Sequence, residues 1–206
     1  MGDIRITPIE ADRYYHIYNR GINGDIIFKS DRNKDFFLKK ITDLLLPVCE
    51  ILCYCLLNNH FHLLIRVHSD GALKEFALQS KKTTIIHEKG LHSADRIFSK
   101  QLSRVFNSYS QAFNKENNRH GPLIESPFKR KVITSEDYLR STIIYIHQNP
   151  MTHGLTDDFR NFKYSSFRTI MSGQKTELAR NEVLQYFETR ENFLLCHNRI
   201  VDETEI

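Results

Sequence analysis

The chain has 206 residues, 40% of them hydrophobic and 26% charged, with 8 glycines and 5 prolines. That composition supplies apolar surface for a packed core and excludes collagen-like, linker-dominated and disordered chains. The balance of 29 Lys and Arg against 25 Asp and Glu gives a net charge of +4, a mild basic bias that assigns no partner by itself.

The longest apolar run, Ile51–Leu57, is strand-length and far short of the roughly 20 residues a membrane helix needs, so no membrane partner is expected. The first residues carry Asp3, Arg5, Glu10, Asp12 and Arg13 and lack the apolar centre of a signal peptide. Cys49, Cys53, Cys55 and Cys196 show no Cys-x-x-Cys spacing, and three fall in one apolar segment. They read as buried free thiols in a reducing, cytoplasmic setting.

In chain order, Tyr14–Tyr18 is aromatic and β-branched and is broken by Arg20-Gly21-Ile22-Asn23-Gly24, which predicts a strand followed by a loop. Asp31–Leu46 places Phe37, Leu38, Ile41, Leu44 and Leu45 at helical spacing before Pro47. Ile51–Leu57 and His60–Val67 read as two strands joined at Asn58-Asn59, an antiparallel hairpin. Helices are expected over Ala72–Gln79 and Gln101–Lys115, and a short basic strand over Phe128–Ile133. Thr134 reads as the N-cap of a helix that Pro150 should stop near Gln148. Tyr164–Phe167 and a helical Glu177–Thr189 complete a smaller C-terminal elaboration. Strands interleaved with helices, with a hairpin among them, point to an α+β fold with an antiparallel sheet.

Charge is uneven along the chain. Ala72–Lys131 holds 12 Lys and Arg against 5 acids, whereas Met151–Ile206 holds 7 against 9. A basic middle beside an acidic tail suits an anionic ligand, with Lys81, Lys82, Arg104, Lys129, Arg130 and Lys131 as candidate phosphate contacts.

Two side-chain pairs carry chemistry. His60 and His62, two apart on a strand, leave one face together while Phe61 points to the other, and two such imidazoles can hold a metal ion or, when protonated, a phosphate. Tyr145 and Asn149, four apart on a helix, share a face one turn apart, while His147 lies on the opposite side. Each pair alone has an ordinary reading: packed or surface histidines, a half-buried aromatic, a helix-ending asparagine. Periodicity does not show that the two faces meet.

Together, "LLNNHFHLLIRV" and "GPLIESPFKRKVITSEDYLRSTIIYIHQNPMTHGL" resemble the HUH single-tyrosine transposases of the IS200-like group, and within it the REP-associated tyrosine transposases. "YYHIYNRGINGDIIF" and "FKYSSF" extend the resemblance from about Tyr14 to Phe167. Leu57-Asn58-Asn59 replaces a frequent Met-Pro-Asn, and Met151 a frequent Val, neither at a functional atom. The resemblance implies a ferredoxin-like sheet flanked by helices in a catalytic unit over 1–153, with 154–206 as a helical elaboration. It implies His60, His62 and Asn149 as ligands of a divalent ion, Mg²⁺ or Mn²⁺, and Tyr145 as nucleophile. The implied activity is nicking and strand transfer on single-stranded or hairpin DNA through a 5′-phosphotyrosine, by a monomer or homodimer associated with the nucleoid. The alternative is a non-cleaving module that recognises structured single strands. Rolling-circle and relaxase variants of the chemistry favour a third histidine that this stretch lacks.

Overall fold

The computed structural model describes residues 7–80, 93–201 and 206. Candidate contacts Lys81 and Lys82 lie outside the described residues.

Strand β1 (Tyr14–Arg20) leads through a short 3₁₀ turn to α1 (Asp31–Leu45). The hairpin of β2 (Cys49–Leu56) and β3 (His60–Val67) follows, then α2 (Asp70–Ser80), α3 (Ala94–Glu116) and β4 (Lys129–Ile133). After β4 come α4 (Glu136–Thr152), α5 (Phe167–Met171), α6 (Arg180–Gln185) and α7 (Arg190–Cys196). The sheet order is β2-β3-β1-β4 with every pair antiparallel, the ferredoxin-like arrangement of a βαββαβ chain.

Both faces of the sheet are buried. Phe61, Leu63, Ile65 and Val67, with Tyr15 and Ile17, pack under α1 and α3. Leu52, Cys53, Cys55, Leu64 and Ile133 pack under α4 and the C-terminal helices. This explains why Ile51–Leu57 reads as an unbroken apolar run: a strand covered on both sides has no solvent face to mark. The outer edge of β2 is closed by the C-terminal segment, where Leu56 donates to Tyr164 O at 2.9 Å and Ala179 to Ile51 O at 2.9 Å. Cys49, Cys53 and Cys55 are buried free thiols whose pKa values rise by desolvation, which keeps them inert packing groups.

Several boundaries differ from the sequence expectation. Helix α3 begins at Ala94 rather than Gln101, capped by Ser93, because Ile97 and Phe98 extend the buried stripe toward the N-terminus. The cap of α4 is Ser135 rather than Thr134: its Oγ accepts from Tyr138 N at 3.2 Å, with Glu136 and Asp137 in the first turn. Helix α4 also runs past Gln148 to Thr152 with Pro150 inside it. The proline leaves the Ile146 carbonyl without its helical donor, yet buried packing holds the last turn. The true stop is Gly154 at φ +64, where Gly154 N bonds Met151 O at 3.0 Å and Leu155 N bonds Pro150 O at 2.8 Å. A left-handed residue closing the helix in this way favours glycine. The expected helix over Glu177–Thr189 is shortened to α6 (Arg180–Gln185), Glu188 adopting φ +64 and Thr189 capping α7.

Candidate active site

The face of the sheet beneath α4 changes character along its length. Leu64 and Ile133 pack under α4 as apolar groups, Tyr14 and Arg66 bond Glu182 at one end, and toward the other end polar groups line up across strands. Tyr18 lies opposite His62 on β3 and Lys129 on β4, His16 opposite Leu64 and Lys131, and Arg20 opposite His60. Residues 142–150 of α4 are all buried, the helix being enclosed by the sheet on one side and the C-terminal helices on the other. Its polar line Tyr145, Asn149 and His153, one turn apart each, descends over the histidines.

The two pairs do meet, within one chain. The rings of His62 and Tyr145 lie 5.7 Å apart, centre to centre, at 87°, and those of His60 and His153 lie 4.6 Å apart. His16 completes the group, 5.1 Å from His62 and 6.2 Å from Tyr145. These side chains border a cavity of about 260 Å³ that Lys129 and Lys131 also line.

Hydrogen bonds fix which ring and amide atoms are left uncommitted. Asn59 spends its amide nitrogen on Gly24 O at 3.3 Å, so its Oδ1, 2.7 Å from His60 Nδ1, accepts a hydrogen bond from that ring. His60 therefore carries its lone pair on Nε2. Asn149 donates Nδ2 to Tyr145 O at 3.0 Å, which turns Oδ1 away from the helix. Asn149 Oδ1 and His62 Nε2 are both buried and lack a hydrogen-bond partner. Buried polar atoms with no partner are costly, on the order of 1–3 kcal/mol each, and call for a ligand. One carboxamide oxygen and two imidazole nitrogens form a mixed N/O donor set that suits a divalent ion. Among the described residues no cluster of three or more His, Cys, Asp or Glu gathers as a metal site.

Burial keeps the imidazoles neutral. Desolvation lowers His16 to about 3 and His60 to about 4. For His60 the neighbouring His153 adds to the fall, and the Asn149 side chain partly opposes it. His62 drops well below the usual range, again first by burial and then through His16 and His60. Neutral rings are the form that ligates a cation, not the form that holds a phosphate by charge.

The basic candidates separate by strand alternation. Lys129 and Lys131 point into the cavity: Lys129 Nζ lies 5.9 Å from the Tyr18 ring centre and 3.8 Å from Glu125, and Lys131 donates to Ile206 O at 2.7 Å. Arg130 points to the opposite face, 92% shielded from solvent, and pairs with Asp95 at 2.9 Å. Arg104 lies on α3, which also packs on that opposite face, and bonds Gln101 at 2.9 Å.

Sequence reasoning missed His16, Asn59 and His153. The alternation in Tyr14-Tyr15-His16-Ile17-Tyr18 puts Tyr14, His16 and Tyr18 on one face and was available as a signal; that this face adjoins β3 was not, because strand order is a long-range property.

No protein-family model and no curated protein matches the sequence. Among solved structures, the chain is similar to a REP-associated tyrosine transposase bound to a REP hairpin, at 15% identity and TM-score 0.54, covering 86% of this chain and 90% of that one. That likeness establishes the shared fold. A bacterial tRNA(His) guanylyltransferase-like protein in complex with GTP also aligns, at 11% identity, over 77% of this chain and 74% of that one, at TM-score 0.43.

Proposed function

We propose that this protein cuts and rejoins single-stranded DNA beside a hairpin, with Tyr145 as nucleophile and a divalent ion held by His60 Nε2, His62 Nε2 and Asn149 Oδ1. The observation that carries this reading is the convergence of Tyr145 and Asn149 on the His60–His62 pair inside one chain, with two of the donor atoms buried and unpartnered. The fold shared with a transposase that was solved on a REP hairpin supports the substrate class.

When bound, the ion polarises the scissile phosphate and offsets charge that develops on its oxygens. The chain's own groups do the rest. Tyr145 Oη attacks phosphorus, the bond from phosphorus to the 3′ oxygen breaks, and the phenolic proton ends on the released 3′ hydroxyl. The product is a 5′-phosphotyrosine that a second 3′ hydroxyl can reverse, so bond energy is conserved and no nucleotide triphosphate is needed. Lys129 and Lys131 face the same cavity and draw the backbone in. Held between sheet and buried helix, the phenol stays positioned for in-line attack.

The test uses a hairpin oligonucleotide with a 5′ single-stranded flank and Mn²⁺. The wild type should form a covalent adduct that survives denaturation, and Tyr145→Phe should form none. Equal cleavage by both proteins would remove Tyr145 from the chemistry. Metal-independent hairpin binding without any adduct from the wild type would leave a non-cleaving binding module.

A further inference from the structure

His60 and His62 are not held alike. Asn59 fixes the tautomer of His60 through a carbonyl oxygen, which can only accept. His62 Nδ1 instead meets His16 Nε2 at 2.8 Å, and between two imidazoles either nitrogen can carry the shared proton. The two arrangements differ in consequence. If His16 donates, His62 carries a hydrogen on Nε2, and that atom presents a donor to a cavity where a ligand needs a lone pair. If His62 donates, its Nε2 lone pair faces the cavity, in the same form that Asn59 gives His60.

We propose that His16 is a positioning residue: its Nε2 accepts the Nδ1 hydrogen of His62 and thereby aims the His62 Nε2 lone pair at the ion. This rests on the metal-site reading above and adds to it the group that makes His62 a ligand. Three observations support it. His16 is 2% exposed and enters from a different strand, so its ring has no solvent partner to compete. Its ring stacks with Tyr18 at 4.9 Å and with His62 at 5.1 Å, which holds its plane. His62 Nε2 and His16 Nδ1 are the two ring nitrogens left without a partner, so in this form the free lone pair falls on the His62 ring and the unpartnered N–H on His16. Partners of this kind, behind a metal ligand, fix the ring orientation and raise the basicity of the ligating nitrogen.

The experiment combines a spectroscopic readout with metal affinity. Long-range ¹H–¹⁵N spectra of metal-free wild type should show His62 with hydrogen on Nδ1, and Mg²⁺ should shift its Nε2 resonance. Mn²⁺ titration should then separate two variants. His16→Gln places an amide oxygen where Nε2 stood and should stay within about threefold of wild type. His16→Phe keeps the ring volume but cannot accept, and should lose about 10–100-fold in affinity. A His62 ring protonated on Nε2 in the wild type would overturn the proposal whether or not His16→Phe folds. So would equal Mn²⁺ affinity of all three proteins. A wild type that shows hydrogen on Nδ1 but binds no Mn²⁺ overturns the metal reading instead, which keeps the two failures apart.

Discussion

Asn149 is the residue on which the proposed ion site turns, because it is the proposed oxygen ligand and its orientation is set by its own helix. Its amide nitrogen is committed to Tyr145 O, so Oδ1 faces outward by elimination. Asn149→Ala should lower Mn²⁺ affinity at least about tenfold, while Asn149→Asp keeps an oxygen ligand and should retain binding; calorimetric titration decides between them. The lysines make a separate prediction. Each phosphate contact on single-stranded DNA contributes about 0.7 to the slope of log affinity against log salt. Lys129→Ala and Lys131→Ala should each flatten that slope by about this amount, measured by fluorescence anisotropy on a hairpin oligonucleotide. Arg104→Ala, on the far face, should leave it unchanged. An equal effect from Arg104 would mean the DNA wraps a surface remote from the cavity. At this scale the shared face of His60 with His62 and that of Tyr145 with Asn149 were legible in the sequence, because alternation and helical spacing are local rules. The division of Lys129-Arg130-Lys131 between two faces follows from the same strand rule, but Asp95 as partner of Arg130 did not, since it comes from another element. Gly21 shows a further limit: it reads as a loop breaker, yet its actual constraint is close approach, a Cβ there falling 2.1 Å from Asp25 O.

At the scale of elements, α4 is the organiser. Its N-terminal half packs on the apolar end of the sheet, its C-terminal half delivers Tyr145 and Asn149, and its outer side is tied to the C-terminal segment by a buried chain of polar groups. His147 Nδ1 lies 2.9 Å from His197 Nε2, His147 Nε2 lies 2.9 Å from Ser166 Oγ, and His197 Nδ1 donates to Phe193 O at 2.7 Å. Both rings are held neutral: burial pushes His147 well below the ordinary range and His197 down to about 4. The sign of the pH effect follows. Above the unfolded value of about 6.5 neither folded nor unfolded rings bind protons. As pH falls from there toward 4 the unfolded chain gains protons that the folded one refuses, so stability drops, by at most about 1.4 kcal/mol per pH unit for each ring. His16, His60 and His62 act in the same direction in the metal-free protein. Thermal melts of metal-free protein between pH 7 and 4 should therefore show a falling midpoint, and His197→Gln should flatten the fall; an unchanged profile in that variant would mean the ring titrates in the fold. The end of α4 was misread from sequence. Pro150 is a strong local stop signal, but Thr142 to Pro150 are buried without a break, and packing on both sides outweighs the proline. Its end is written instead in Gly154, four residues later.

For the whole molecule, the question is whether 154–206 is an appendage or part of the core. The α+β class with an antiparallel sheet was readable from the hairpin and its flanking helices, whereas the strand order was not, because it depends on contacts far apart in the chain. The role of the C-terminal segment was not readable, because its short helices carry weak periodicity and their burial exists only against α4. In the structure Phe159, Phe167, Val183, Phe187 and Phe193 are buried in one cluster with Ile143, Ile144 and Ile146 of α4 and with Leu52 of β2. Removing 154–206 would bare those residues, strip the His147 network of His197 and Ser166, and open the edge of β2 to water. Each large apolar side chain left exposed forfeits about 1.5–3 kcal/mol, and a handful of them equals the whole stability of an ordinary domain, about 5–15 kcal/mol. A protein ending at His153 should therefore fail to melt cooperatively, and should bind neither Mn²⁺ nor hairpin DNA with measurable affinity. Cooperative unfolding of that shortened chain, with Mn²⁺ affinity retained, would instead establish 1–153 as a unit that folds and assembles its site alone. The expected failure has a functional side. The helix that carries the proposed nucleophile is sandwiched, so Tyr145 is held to the sheet by residues that come after it in the chain, and the site can form only once that last segment has closed over α4.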